Sequence, residues 1–373
     1  MIKKNYRSYG TLVLHLGKSG RLVKLSFFKN KRVLITGHTG FKGSWLCKIL
    51  VLSGAELFGY SLDPPTDPNL YTIANIGDYV NSEKGDVSDF DHLYDYFEDV
   101  LPEIVIHLAA QPLVKESYVR PLETYQSNVM GTVSIMECLR RTNCVKSFLN
   151  VTTDKVYDNV EIDKYYKETD PLDGFDPYSN SKSCSELVTH SYKRSFFQDF
   201  DCCISTARAG NVIGGGDFAK DRIIPDCIRA AITHDEIVLR HPNSTRPYQH
   251  VLEPLAAYLT IIESQYRNKE LSGSYNVGPR KEDCVTTGQL ATLFCEKWGD
   301  GLKWTSSDYN GVHEANFLKL DSSLIQNRLS FQPRWSIKEA VERTIDWTKA
   351  WINGEDINQV MALQISEYFG ESL

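Results

Sequence analysis

Val33-Leu34-Ile35-Thr36-Gly37-His38-Thr39-Gly40-Phe41-Lys42-Gly43 is the stretch on which the fold of this 373-residue chain turns. Residues 33–35 read as a short strand buried on both faces, and residues 41–53 as the helix that follows. Between them Gly37, Gly40 and Gly43 are spaced G-x-x-G-x-x-G, with Thr39 and Phe41 in the same turn. Glycine permits the tight turn and lets a pyrophosphate approach the backbone. The helix N-terminus adds free N–H groups and the positive end of its dipole. A glycine triplet alone marks only a tight strand-to-helix connection. Its place between the first strand and the first helix points to dinucleotide binding.

Outward from this loop, strands are expected at residues 56–62, 79–82, 104–108, 146–151 and 202–207. Helical patterns lie at residues 90–100, 118–141 and 178–197. Strands separated by helices of this length form right-handed crossovers and a parallel sheet covered on both faces. The predicted fold is therefore α/β: a Rossmann-type doubly wound sheet with a smaller C-terminal substrate-binding lobe. Beyond Gly210 the rhythm loosens. Gly214-Gly215-Gly216 reads as a flexible loop, residues 223–233 and 287–298 as helices, and residues 275–278 as a strand end. Residues 336–352 read as a helix opened by a Ser336/Glu339 capping box.

Composition limits the alternatives. The chain is 42 % hydrophobic and 24 % charged, with a net charge of −7. That balance gives no electrostatic reason to expect nucleic-acid or membrane partners. Nine scattered cysteines, none in a C-x-x-C pair, with no clustered histidines, fit a reduced, cytoplasmic protein without disulfides or a metal site. The first 31 residues carry eight Lys and Arg and no acid. An organelle transit peptide, a disordered tail and an unused upstream start are the readings open to it, and the last two fit better. Residues 1–29 are set apart as this basic extension.

Asp63 falls at the end of the second strand, 26 residues after Gly37. An acid there accepts hydrogen bonds from an adenosine ribose and repels a 2′-phosphate, which favours NAD over NADP. Its other reading is turn punctuation before Pro64-Pro65. Asp86-Val87 and Leu108-Ala109-Ala110-Gln111 follow the third and fourth strands, where small residues admit a cofactor or close helix packing. Residues 30–210 are read as the NAD-binding domain, with 241–270 returning to it. Residues 211–240 and 271–360 are assigned to the substrate lobe.

Tyr178 and Lys182 stand four apart at the start of a helix, on one face. A free phenol has a pKa of about 10, and a nearby ammonium favours the phenolate, so the pair can take a proton from an alcohol while hydride leaves its carbon. Thr153-Asp154-Lys155 sits at the end of the fifth strand. Hydroxyl, carboxylate and amine in succession suggest proton transfers beyond a simple oxidation; the other reading is a polar turn with a helix cap.

From about residue 27 to 347 the sequence resembles the extended short-chain dehydrogenases, and particularly the sugar-nucleotide 4,6-dehydratases. Members carry Thr-Asp-Glu where this chain has Thr153-Asp154-Lys155. The lysine, with GHTGFKGSW at 37–45, GYSLDPPT at 59–66 and DPYSNSK at 176–182, is similar to the CDP-glucose branch. The resemblance implies bound NAD, oxidation at C4 of CDP-glucose, loss of water across C5–C6 and reduction at C6. In it Tyr178 is the base at O4, with Lys182 orienting the ribose and lowering the phenol pKa. Thr153 binds the C4 oxygen, Lys155 takes the C5 proton and Asp154 protonates the leaving hydroxyl. Asn211, Arg222 and Arg246 fall in segments that resemble sugar-nucleotide contacts, although either arginine also reads as a surface salt bridge. His313-Glu314 and residues 214–217 are candidates for reading the base. The resemblance further implies a homodimer or homotetramer built on helices 118–141 and 178–197, and a role in deoxysugar synthesis for O-antigen-type polysaccharide. An epimerase of the same fold would need Tyr178 and Lys182 but no Asp-Lys pair. A non-catalytic descendant would have no use for the intact Tyr178–Lys182 pair.

Overall fold

The computed structural model describes residues 22–307 and 317–371. His313-Glu314 and most of the basic extension lie outside the described residues. Seven strands form one sheet: β1 (Arg32–Thr36), β2 (Glu56–Ser61), β3 (Asn81–Lys84), β4 (Ile104–His107), β5 (Ser147–Val151), β6 (Cys203–Ala209) and β7 (Ser274–Val277). Their order is β7-β6-β5-β4-β1-β2-β3, and every pairing is parallel. Successive strands are added in opposite directions on the two sides of the β1–β4 boundary, where an open α/β sheet leaves a crevice at its C-terminal edge. Thr36 pairs with Tyr60 on one side and His107 on the other, and His107 with Asn150. The loops after β1, β2, β4 and β5 therefore emerge side by side.

Helices cover both faces. On one, α1 (Phe41–Leu52) packs with Val33, Ile35, Leu149 and Val151 of the strands. On the other, α2 (Phe90–Val100) and α3 (Gly131–Thr142) bury Leu93, Phe97, Ile135 and Leu139 against Leu34, Val105 and Phe148. Strands buried on both sides explain why β1, β4 and β5 read as continuous apolar runs. A separate core joins α5 (Ile223–Thr233), α7 (Thr287–Trp298) and α8 (Ile337–Ile352) through Ile228, Phe294 and Val341. This is the smaller lobe, and α8 does open with the Ser336/Glu339 capping box.

Several expectations need correction. Residues 22–29 are not a free tail: Val23, Leu25 and Phe28 are buried in the main core. The 118–141 helix is broken into Val114–Val119, Pro121–Tyr125, a π-helical turn Gln126–Met130 and α3. Pro121 has no N–H to continue a helix, and Gly131 lies where a Cβ would sit 2.6 Å from Val87. The strand expected at 79–82 begins at Asn81, because Ile76–Tyr79 forms a 3-10 turn that buries Ile76. Residues 214–216 are buried and pinned: a Cβ on Gly215 would meet Trp347 at 2.0 Å, and the Trp45 indole donates to the Gly215 carbonyl. Residues 274–277 belong to the sheet rather than the lobe. Helices α6 (Leu252–Arg267) and α9 (Ile357–Phe369) pack in the same core as α1.

Candidate active site

The glycine loop is shaped by what it excludes. Gly37 has φ +75°, and a Cβ there would lie 2.7 Å from the Ala109 nitrogen; on Gly43 it would lie 2.3 Å from the Gly37 carbonyl oxygen. Gly40, the N-cap of α1, meets nothing closer than 3.5 Å, so the space above it is open to a ligand. Thr39 donates to the Leu62 carbonyl at 2.9 Å, tying the loop to the end of β2. Phe41 packs against the main core. Beneath the loop, His38 and His107 are buried, and burial lowers their pKa to about 4 and about 3. The neighbouring Lys182 charge also depresses His107, whose ring bonds Thr36 Oγ1 at 2.7 Å.

Asp63 lies past β2, exposed, with Lys84 Nζ at 2.5 Å from its carboxylate. Asp86 accepts from the Ser88 backbone and hydroxyl in a turn, and Val87 is buried under Gly131. Leu108, Ala109 and Ala110 are half-buried at the end of β4. The Gln111 backbone is held on both sides by Asn128, which also donates to Ser181 of the catalytic helix. The sequence reading missed Asn128, because its π-helical turn breaks the 3.6-residue period.

The acid–base groups gather at the adjacent strand end. Thr153 caps a 3-10 turn over Asp154–Val156. Helix α4 (Pro177–Phe196) starts with Asp176 as N-cap and Pro177 in its first turn, which places Tyr178 facing that turn. Thr153 donates to Asp154 Oδ1 at 3.0 Å and bears on the Tyr178 phenol. The same helix grips both flanks of residues 153–155. Lys182 Nζ donates to the Val151 carbonyl at 3.2 Å, Ser183 to the Val156 carbonyl at 2.7 Å, and Glu186 accepts from Thr152 at 2.6 Å.

Burial dominates the electrostatics. It pushes Asp154 up, against the pull of Lys155, Thr153, Arg246 and Lys42. It lowers Lys182 to about 8, helped by Lys42 and opposed by Glu186. Tyr178 is raised to about 12 by burial, and Thr153 draws it only part of the way back. Lys182 itself is bonded to the Val151 carbonyl, and burial outweighs the groups that lower the phenol. Lys42, unremarked in the sequence reading although it lies in the quoted loop, is lowered to about 8 by burial and by Arg222.

The lobe contributes two arginines; Thr245–Arg246 pairs with Val285–Thr286 of the lobe, although the sequence reading has residues 241–270 returning to the NAD-binding domain. Arg222 pairs with Asp217 at 3.1 Å and bears on Tyr178 and Lys42. Arg246 is buried and bears on Asp154. Asn211 holds Gln249 through its backbone carbonyl. Arg208, in the same segment as Asn211, is a core residue: its guanidinium pairs with Glu186 at 2.9 Å and meets the Tyr157 hydroxyl. All nine cysteines are free, and no group of metal-ligating side chains occurs among the described residues. Nor is any helix among them long and apolar enough to cross a membrane.

A CDP-glucose 4,6-dehydratase of Salmonella typhimurium is 44 % identical over 353 residues, covering 93 % of this chain and 98 % of that protein. A human dTDP-D-glucose 4,6-dehydratase is 28 % identical, covering 85 % of this chain and 89 % of its own length. Among solved structures, a Bacillus anthracis dTDP-glucose 4,6-dehydratase in complex with NAD superposes with a TM-score of 0.71 at 18 % identity, covering 89 % of this chain and 99 % of that one. A Thermotoga maritima UDP-glucose 4-epimerase with UDP-glucose gives 0.73 at 19 %, covering 86 % and 99 %. These two likenesses speak to the fold. The profile of the GDP-mannose 4,6 dehydratase family matches residues 34–344, and the chain belongs to that family.

Proposed function

We propose that this chain is an NAD-dependent CDP-glucose 4,6-dehydratase, converting CDP-D-glucose to CDP-4-keto-6-deoxy-D-glucose and water. The observation that carries the reading is the buried Asp154 carboxyl, bonded to Thr153 and bearing on the Tyr178 phenol. It joins an oxidation pair to an elimination pair, and an epimerase would need only the first.

The glycine loop fits a dinucleotide: its backbone admits no side chain at Gly37 or Gly43 and leaves Gly40 open. Gly37, Thr39, Gly40, Phe41, Gly43, Asp63, Asp86, Val87, Leu108, Ala109, Ala110, Gln111, Tyr178 and Lys182 would hold it. When bound, NAD supplies a hydride acceptor for C4 and a hydride donor for C6, and its ring charge favours the Tyr178 phenolate. Tyr178 takes the proton of the 4-hydroxyl. Lys182, fixed on the Val151 carbonyl, orients the ribose. Thr153 steadies the C4 oxygen. With C4 a ketone, the C5 proton becomes acidic. Lys155 takes that proton while Asp154, whose pKa burial raises, gives its own to the C6 hydroxyl, which leaves as water. Arg222 and Arg246, with Asn211, would meet the nucleotide diphosphate, for which a guanidinium fork is suited.

The chain is proposed to act in the cytoplasm in deoxysugar synthesis, as a homodimer or homotetramer. Tyr118, Val119, Leu122, Met130 and Leu187 are exposed apolar residues on the segments that would form the contact. Sedimentation of Leu122→Glu tests this, with dissociation expected.

Incubation with CDP-, dTDP-, UDP- and GDP-glucose, followed by product mass, tests the reaction. Loss of one water from CDP-glucose is expected. An isomer of unchanged mass would make the protein an epimerase, and preference for another nucleotide would overturn the CDP assignment.

A further inference from the structure

Helix α6 carries a phenol that none of these steps employs. Tyr258 is fully buried, in the core that holds Leu149, Val151, Ala207 and Ala209, and its hydroxyl has no hydrogen-bond partner among the described residues. Asp154 Oδ2 is buried and unpartnered as well, while Oδ1 is taken by Thr153. Tyr178 and Asp154 are the two ionisable groups that bear on the Tyr258 phenol. Oδ2 lies against Gly210, just past the end of β6, where a Cβ would meet it at 3.1 Å. Tyr258 packs in the core with Val151 and Ala209 at the ends of β5 and β6, so an orphaned donor and an orphaned acceptor lie at the same sheet edge without being bonded to each other. An unpartnered buried hydroxyl destabilises a fold, so packing alone would favour phenylalanine here.

We propose that Tyr258 is a positioning residue for Asp154, its phenol supplying the hydrogen bond that Oδ2 requires once the carboxyl has given up its proton. The inference rests on Asp154 as the acid of the elimination. A carboxylic acid has a proton of its own to donate; the carboxylate left when the C6 hydroxyl departs only accepts. Every group facing Asp154 enters the balance: Thr153 and Lys155 from its own turn, Lys42 from α1, Tyr178 from α4, Arg246 from the lobe and Tyr258 from α6. Lys155, Lys42 and Arg246 draw its pKa down, and burial outweighs them. Tyr258 adds a donor that stays neutral, because burial raises its own pKa. It therefore favours the carboxylate at every working pH.

Tyr258→Phe in the holoenzyme separates this role from packing. Its Tm should equal or exceed that of the wild type. Single-turnover oxidation at C4, read from reduced-cofactor absorbance, and KM should not change. Water loss should slow on the order of tenfold, the effect of one hydrogen bond to a charged group. The alkaline limb of that step, identified as the one Asp154→Asn abolishes, should move to higher pH, since losing a donor to the carboxylate favours the acid. The double variant should be no slower than Asp154→Asn. Wild-type rate and pH profile in Tyr258→Phe would overturn the proposal. So would equal slowing of oxidation and water loss, or a lowered Tm, either of which marks a packing role. Wild-type water loss in Asp154→Asn would instead remove the acid itself, a failure of the underlying reading and separately visible.

Discussion

Two neighbouring stretches of one sheet edge are built on opposite principles. The loop after β1 works by exclusion: Gly37 and Gly43 leave no room for a Cβ, and the groups turned to a ligand are backbone amides. The turn after β5 works by charge: Thr153, Asp154, Lys155, Tyr178 and Lys182 crowd into a site where burial, more than any neighbour, moves the titrations. The first is intolerant of volume; the second turns on which groups carry protons. Substitutions that alter only one property should therefore damage only one stretch.

Tyr178→Phe changes one hydroxyl and almost no volume. Activity should fall by about 10²–10⁴-fold, the range for a lost general base, with cofactor affinity nearly unchanged. Calorimetric titration with NAD beside a turnover assay checks both halves. Equal loss of binding would merge the two stretches.

Lys155→Ala should cost on the order of 10²-fold in turnover and stop the reaction midway. A single turnover should build up bound reduced cofactor and the 4-keto glucose nucleotide, with no loss of water. Product at near wild-type rate would clear Lys155 of the base's role, leaving Asp154 or water to take the C5 proton.

Gly43→Ala is the converse test, volume without charge. A methyl group 2.3 Å from the Gly37 carbonyl must displace backbone. Overpacking of this kind costs about 1–3 kcal/mol and should lower Tm and weaken NAD binding together. An unchanged Tm would mean that the loop yields.

The two stretches should also fail at opposite ends of the pH scale. His38 and His107, under the glycine loop, have folded pKa values near 4 and 3, below that of a free imidazole. Their stabilising contribution is complete above about pH 6.5 and is lost as pH falls; by pH 5.5 each has lost about 1.4 kcal/mol of it. Lys182 loses its charge above about 8, so ribose orientation weakens on the alkaline side. Denaturant midpoints below pH 6.5 and a turnover profile above pH 8 measure the two independently. Acid-resistant stability in His107→Asn would support the first.

What the sequence made legible follows the same division. Exclusion leaves a local trace, since glycines at fixed spacing between a strand and a helix can be read in order. The sheet followed from apolar runs buried on both faces. Tyr178, Lys182 and residues 153–155 were legible as types in a register. Their linkage was not, because Thr153 meets Tyr178 only after β5 and α4 are docked. Asn128, Glu186 with Arg208, and Tyr258 were invisible for that reason: each acts through a partner distant in sequence. The Gly214–Gly216 run misled because glycine beside tryptophan is a packing device as readily as a flexible one.

Asp63 is the exception in the glycine stretch, the point where that region relies on a charge, and there the smallest effect is expected. An acid at the end of β2 excludes a 2′-phosphate, yet here Lys84 lies 2.5 Å away and both side chains are largely exposed. An exposed ion pair contributes about 0–1 kcal/mol, so Lys84 takes little from stability. It does offset the negative potential that would repel a phosphate. Selection for NAD should therefore be modest, and Asp63→Ala should shift the NAD:NADP affinity ratio only several-fold, about 1 kcal/mol. Lys84→Ala should move the ratio the other way, because Asp63 would then act unopposed. Titration of both cofactors into wild type and the two variants gives three ratios. Opposite displacements would fix Asp63 at the ribose; a ratio that neither substitution moves would place cofactor choice elsewhere on the edge.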